Sequence, residues 1–67
     1  MNTRLIREKI KEKGLTIEEL ANRMSIDRST LYRKLQDDGE TFKVSEMKRL
    51  ISTLELTSDE VNRIFFA

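Results

Sequence analysis

The sequence contains no cysteine, no histidine and no proline, and only two of its 67 residues are glycine. Without cysteine and histidine the chain cannot form a disulfide framework, a typical zinc site, a thiol nucleophile or an imidazole general base. The scarcity of obligatory backbone breaks favours helices over many short strands. No apolar run approaches the ~20 residues of a membrane-spanning helix. We therefore expect a soluble, cytoplasmic protein that is not an enzyme and that holds no metal, cofactor or small-molecule ligand.

Apolar residues recur at helical spacing along almost the whole chain, which predicts an all-α fold of five short helices. A chain of this length buries only about 60% of its unfolded surface, so we expect one core and a single domain over residues 1–67. The initial Met1 and the short length favour a complete protein. The predicted inward-facing residues are Leu5, Ile6, Ile10, Leu20, Ala21, Met24, Leu31, Leu35, Val44, Met47, Leu50, Ile51, Leu54, Ile64 and Phe65.

Charge is nearly balanced overall but unevenly distributed along the chain. Thirteen basic and twelve acidic residues give a net charge of +1. Residues 1–36 carry nine basic and five acidic side chains, whereas residues 37–67 carry four and seven. This asymmetry favours one face that meets a polyanion, although an ordinary solvated surface would show the same counts.

Helix start and stop signals divide the chain. Thr16 with Glu19, and Thr57 with Glu60, have the spacing of capping boxes, and Asp27 is a candidate N-cap. Gly14 is expected to end the first helix in a left-handed conformation. The second and third helices are separated by about three residues, which predicts a helix-turn-helix over about residues 16–36. An ordinary corner between two helices of a small bundle remains the alternative.

The solvent side of the third helix has an unusual composition. With Leu31 and Leu35 facing the core, a 100° rotation per residue places Ser29, Arg33 and Gln36 on the opposite side. Arg28 projects from the first turn, and no acidic residue lies between Arg28 and Gln36. These side-chain types hydrogen-bond base edges and phosphates. The predicted base contacts are therefore Arg28, Ser29, Arg33 and Gln36.

The segment LTIEELANRMSIDRSTLYRKL resembles the helix-turn-helix of phage repressors and Cro proteins, the lambda repressor-like family. Ala21 matches the small residue where the two motif helices touch, and Leu31 matches the aliphatic position of the recognition helix. The tail LELTSDEVNRIFF resembles the junction between the fourth and fifth helices of these proteins. The resemblance implies a five-helix transcriptional regulator that reads an operator in double-stranded DNA, as a homodimer, in a bacterial or phage-infected cell.

The sequence departs from the pattern of the family in three places. Ser25 replaces the usual glycine of the turn, and a left-handed non-glycine residue costs roughly 1 kcal/mol. Ile17 stands where related repressors often carry a phosphate-binding glutamine, so only backbone N–H groups remain there to contact a phosphate. The acidic residues Asp37, Asp38 and Glu40 occupy a loop where relatives often carry basic residues, which argues against a phosphate contact from this loop.

Further contacts complete the predicted site. Phe65 and Phe66 are the candidates for a homodimer interface, and two recognition helices about 34 Å apart would then read a pseudo-palindrome. The alternative for Phe66 is that it covers a gap beside the first helix. The predicted phosphate contacts are Ile17, Arg23, Thr30, Tyr32, Lys34 and Lys43.

A protein-interaction module of the same fold, which docks on a protein instead of reading DNA, is the competing interpretation. The acidic second half of the chain would then supply the contact surface. The two hypotheses differ in salt response, because duplex binding releases counterions and weakens steeply as salt concentration rises.

Overall fold

The helices lie close to their predicted positions. The computed structural model describes residues 1–66, and all regular structure in that range is helical. The elements are α1 (Thr3–Glu12), α2 (Ile17–Arg23), α3 (Arg28–Gln36), α4 (Val44–Thr53) and α5 (Ser58–Val61), and α5 continues into a π-helical turn (Asn62–Phe66). The prediction of an all-α fold with five helices is confirmed. None of the helices in residues 1–66 has the length and apolarity that crossing a membrane requires.

Two helices begin with the predicted capping boxes. The hydroxyl of Thr16 accepts from the N–H of Glu19 at 3.1 Å, and the Glu19 carboxylate accepts from the N–H of Thr16 at 2.9 Å. Thr57 and Glu60 repeat this arrangement at the start of α5, at 3.2 and 2.9 Å. Asp27 precedes α3 as its N-cap, but its side chain makes no capping hydrogen bond. The first turn of α3 therefore keeps backbone N–H groups that its own cap does not use.

The α2–α3 turn is a Schellman motif, in which backbone N–H groups after the helix satisfy its last carbonyls. Ile26 donates to the carbonyl of Ala21 at 3.0 Å, and Ser25 donates to that of Asn22 at 3.2 Å. Ser25 has φ +60°, as expected for the residue that replaces glycine there. Gly14 occupies the equivalent position after α1 with φ +70°, which confirms its predicted role.

Every helix except the short α5 contributes to one core, and the π-helical turn contributes Ile64. The inner side of α4 is narrower than predicted. Val44 is 65% exposed because it lies at the first position of the helix, and Met47 and Ile51 are only half-buried. The buried apolar residues of the core are Ile6, Ile10, Leu20, Ala21, Met24, Leu31, Leu35, Phe42, Leu50, Leu54 and Ile64.

Candidate nucleic-acid interface

The outward side of α3 is built by its own amphipathic spacing. Leu31 and Leu35 are almost fully buried, which fixes the rotation of the helix about its axis. The opposite side then faces solvent with the residues predicted to contact bases, and no acidic residue lies within α3. All of these side chains are exposed and lie outside the core and the ion pairs within residues 1–66: Arg28, Ser29, Arg33 and Gln36.

The beginnings of α2 and α3 lie side by side. Ile17, Arg28, Ser29 and Tyr32 together line an open depression of about 300 Å³. Tyr32 is 48% exposed and Ile17 is half-buried, so a polar tip and a helix start face the same space. The structure therefore brings together residues of both motif helices that the sequence assigned separately to bases and to phosphates.

Other predicted phosphate contacts lie at the margins of this surface. Thr30 is half-buried, and it lines a cavity with Arg33 beside the end of α3. Arg23 is exposed at the last position of α2. Lys43 is exposed directly before α4, where its backbone N–H donates to the carboxylate of Glu46 at 2.8 Å.

Lys34 is directed into the protein instead of toward solvent. Its ammonium Nζ lies 2.9 Å from Oε1 of Glu46 and 2.8 Å from the backbone carbonyl of Thr41, and 5.7 Å from the centre of the Phe42 ring. The side chains of Lys34 and Glu46 are only 13% and 10% exposed. This placement argues against the predicted phosphate contact of Lys34, because two acceptors inside the protein already hold its charge.

The carboxylate of Glu46 is stabilised in its charged form despite its burial. Burial raises the pKa of Glu46, but the N–H of Lys43 and the ammonium of Lys34 together outweigh burial and hold this pKa below its ordinary value. Glu46 therefore carries its negative charge at neutral pH, 2.9 Å from Nζ of Lys34.

The family of the chain follows from its sequence as a whole. A family model described as the Cro/C1-type HTH DNA-binding domain matches residues 5–65. The chain belongs to the Cro/C1-type helix-turn-helix DNA-binding domains. A search of curated proteins and a search of solved structures each found no match to it. Membership makes this a helix-turn-helix DNA-binding domain of the type used in transcription regulation.

Sequence reasoning missed a contact that braces the turn of this Cro/C1-type domain. Nη1 of Arg49, on α4, donates to the backbone carbonyl of Met24 at 2.8 Å. Met24 is the C-cap of α2, so a cation meets the negative end of that helix. The two residues are 25 positions apart, and no local pattern predicts their contact.

The basic surplus of the first half is partly neutralised inside the Cro/C1-type domain. Lys9 pairs with Glu12 at 3.1 Å and with Glu60 at 2.7 Å, and Lys13 pairs with Glu55 at 3.0 Å. The hydrogen bond from Lys9, followed by that from the N–H of Thr57, lowers the pKa of Glu60 to about 2. The exposed cations of α1 outside the ion pairs of residues 1–66 are Arg4, Arg7 and Lys11.

An apolar groove lies between α4 and the π-helical turn. Val44, Met47 and Ile51 line one side, Phe65 and Phe66 line the other, and the space measures about 480 Å³. Phe65 is half-buried against the core, whereas Phe66 is 78% exposed. The alternative that Phe66 covers a gap beside α1 is wrong, because the ring borders this groove and faces solvent.

Within residues 1–66, no group of three or more acidic side chains is placed to hold a metal ion.

Proposed function

We propose that the protein is a transcriptional regulator that binds a specific operator in double-stranded DNA with α3 in the major groove. The observation that supports this proposal most strongly is the outward side of α3. Four exposed side chains there bear hydrogen-bond donors and acceptors, and no acidic residue lies among them. The exposed side of α2 looks different, because it carries Glu18 and Glu19 beside Asn22 and Arg23. Such a regulator acts in the cytoplasm of a bacterial or phage-infected cell, where its operator lies.

Each base-contact residue has a distinct chemical role in this proposal. Arg33 offers paired N–H donors that suit O6 and N7 of guanine, and Gln36 suits adenine. Arg28 and Ser29 lie four to eight residues before Arg33 and Gln36, which is about 6–12 Å along the helix axis, and they therefore meet different base pairs. Phosphate contacts from Arg23, Thr30, Tyr32 and Lys43, and from the backbone at Ile17, fix the orientation without reading sequence.

Selection from random duplex DNA tests the proposal, followed by binding measurements on the enriched sequence. Arg33→Ala should weaken binding by ~1–3 kcal/mol and relax the preference at one base pair. Arg63→Ala is the matched control, because Arg63 is an exposed arginine on the π-helical turn. It lies outside α3 and pairs with Asp59 of α5. Equal loss on all duplexes would assign Arg33 to the backbone instead of the bases.

Salt dependence separates this proposal from docking on a protein partner. For each phosphate contact that is lost, the slope of log K against log salt should become shallower by about 0.9. Lys43→Met should therefore reduce the slope by about this amount and weaken binding to all duplexes alike. If no duplex is enriched and binding to a protein partner is insensitive to salt, the protein-interaction hypothesis replaces the DNA-binding one.

We also propose that the protein binds its operator as a homodimer. The two copies would contact each other through Phe66 and the apolar groove between α4 and the π-helical turn. Support comes from the exposure of Phe66 beside an apolar groove in the same molecule, since a two-fold axis would place each ring against the other copy. Sedimentation of the wild type on its selected duplex should show two protein molecules per duplex. Phe66→Ser should shift this stoichiometry toward one protein molecule per duplex. Asn62→Ser, on the same turn and exposed, is the control. A wild-type protein that stays monomeric on a symmetric duplex would contradict the dimer.

A further inference from the structure

The ion pair between Lys34 and Glu46 joins three segments at one carboxylate oxygen. Oε1 of Glu46 accepts from Nζ of Lys34 at 2.9 Å and from the N–H of Lys43 at 2.8 Å. Lys34 also donates to the carbonyl of Thr41. The last turn of α3, the loop over residues 37–43 and the first turn of α4 are therefore tied together within a partly buried cluster.

The two ends of α3 are held by different means. Its beginning follows the α2–α3 turn directly, and Leu31 anchors that half in the core. Its end has Leu35 in the core and is followed by a loop that contains two residues with positive φ, Asp38 and Gly39. Beyond Leu35, the polar cluster around Lys34 joins this end to α4 through Glu46.

We propose that Lys34 and Glu46 are positioning residues for base reading: their ion pair sets the place of the last turn of α3, and with it Arg33 and Gln36. This inference rests on the proposed function. A polar contact at a base edge needs its side chain held to within about 0.5 Å. A larger displacement of the last turn of α3 would therefore remove the discrimination between bases by Arg33 and Gln36. Because Arg28 and Ser29 belong to the other end of α3, their contacts do not depend on the pair.

The proposal distinguishes Lys34 from a lysine that binds phosphate. An ammonium group has three donors, and two of them are already used inside the protein. Removing a phosphate contact weakens binding to every duplex and flattens its salt dependence. Removing a positioning contact leaves the salt dependence as it was and weakens discrimination only at the base pairs read by the displaced turn.

Two variants weaken the pair from either side. Lys34→Met keeps most of the stem and removes the ammonium donor. Glu46→Gln removes the negative charge but keeps one oxygen that can accept from Lys43 and from Lys34, so it reduces the ion pair to a hydrogen bond with a neutral acceptor. Lys13→Met is the matched control, because Lys13 also pairs with a glutamate, Glu55, but in an exposed position. Thermal unfolding followed by circular dichroism identifies the temperature at which all variants are folded, and binding is measured there.

Binding to the duplex selected by the wild type is compared with binding to single-base substitutions of it, at several salt concentrations. Lys34→Met should lose about fivefold or more in discrimination at the base pairs that Arg33→Ala relaxes, the lower range for one lost base contact. Glu46→Gln should lose discrimination at the same base pairs, but by less, because its amide oxygen can still accept from Lys34. Discrimination at the base pairs relaxed by Ser29→Ala should stay within twofold of the wild type. The double variant should discriminate between bases no less well than the single variant with the larger loss, since both substitutions act on the same interaction.

Three results would overturn the proposal. A salt slope that flattens by about 0.9 more in Lys34→Met than in Lys13→Met, with Glu46→Gln unchanged, would identify a phosphate contact. Equal loss at all base pairs, or no loss in either variant, would show that the pair only stabilises the fold.

Amide hydrogen exchange of the free protein separates this inference from the proposed function. Faster exchange confined to residues 33–37, with α2 unchanged, would show that the pair holds the last turn of α3 in place. This structural half of the inference would stand even if the wild type selected no duplex, whereas the role in base reading would fail with the DNA-binding proposal. Exchange that is unchanged, or faster throughout the protein, would overturn the positioning role whether or not DNA binds. Glu46→Gln supplies this readout if Lys34→Met does not fold.

Discussion

Replacing Ser25 by glycine should stabilise the protein. Ser25 has φ +60° and is exposed, so the substitution relieves backbone strain and removes no packing. The left-handed conformation costs a non-glycine residue about 1–2 kcal/mol. Glycine loses about 0.5–1 kcal/mol of that gain, because its unfolded chain is more flexible. Taken at the middle of both ranges, the net expectation is a stabilisation of about 0.5–1 kcal/mol.

Thermal unfolding followed by circular dichroism measures this change. In a domain of this size about 1 kcal/mol shifts Tm by about 4–8 °C, so Ser25→Gly should raise Tm by about 2–8 °C. Gly14→Ala is the reciprocal control: Gly14 has φ +70°, and an added Cβ would meet nothing within 4 Å. That variant should lose about 1 kcal/mol from strain alone. If Gly14→Ala loses stability and Ser25→Gly does not gain it, strain is not what governs the α2–α3 turn.

Two more predictions concern charged contacts. The pKa of Glu60 is lowered to about 2, so its stabilising effect is complete above pH 4.5 and is lost as pH falls toward 2. In Glu60→Gln the free energy of unfolding, measured with urea, should fall less steeply over that pH range than in the wild type. If both proteins lose stability equally steeply between pH 4.5 and 2, the pairing of Glu60 with Lys9 does not have this role. Arg49→Met should cost about 1 kcal/mol in urea unfolding, because it removes a charged donor from the carbonyl of Met24. The control Arg63→Met removes only an exposed pair worth about 0–0.5 kcal/mol, and an equal loss in both variants would show that the Met24 contact adds nothing.

Features encoded within one turn of chain were predictable from the sequence. The Thr16 and Thr57 capping boxes and the left-handed Gly14 depend on residues three or four positions apart, whose geometry any helix reproduces. The outward side of α3 was predictable for the same reason, since Leu31 and Leu35 fix its rotation. The match over residues 5–65 then confirms the predicted family.

Contacts between distant segments were not predictable in this way. Lys34 looks like an ordinary solvent-facing lysine in the sequence, but Glu46 lies twelve positions away and turns it inward. Lys13 and Glu55 are 42 positions apart. Val44 shows the converse error, because helical spacing identifies an apolar side without telling whether another element covers it.

The residues that face outward from α3 are separate from those that hold the fold together. Arg28, Ser29, Arg33 and Gln36 are exposed, whereas the neighbouring Leu31, Lys34 and Leu35 are committed to the interior. Evolution is therefore free to exchange the outward set one residue at a time, with little risk of unfolding. Under the proposed function, a lineage with this scaffold would acquire a new target sequence by changing a few codons of one nine-residue helix.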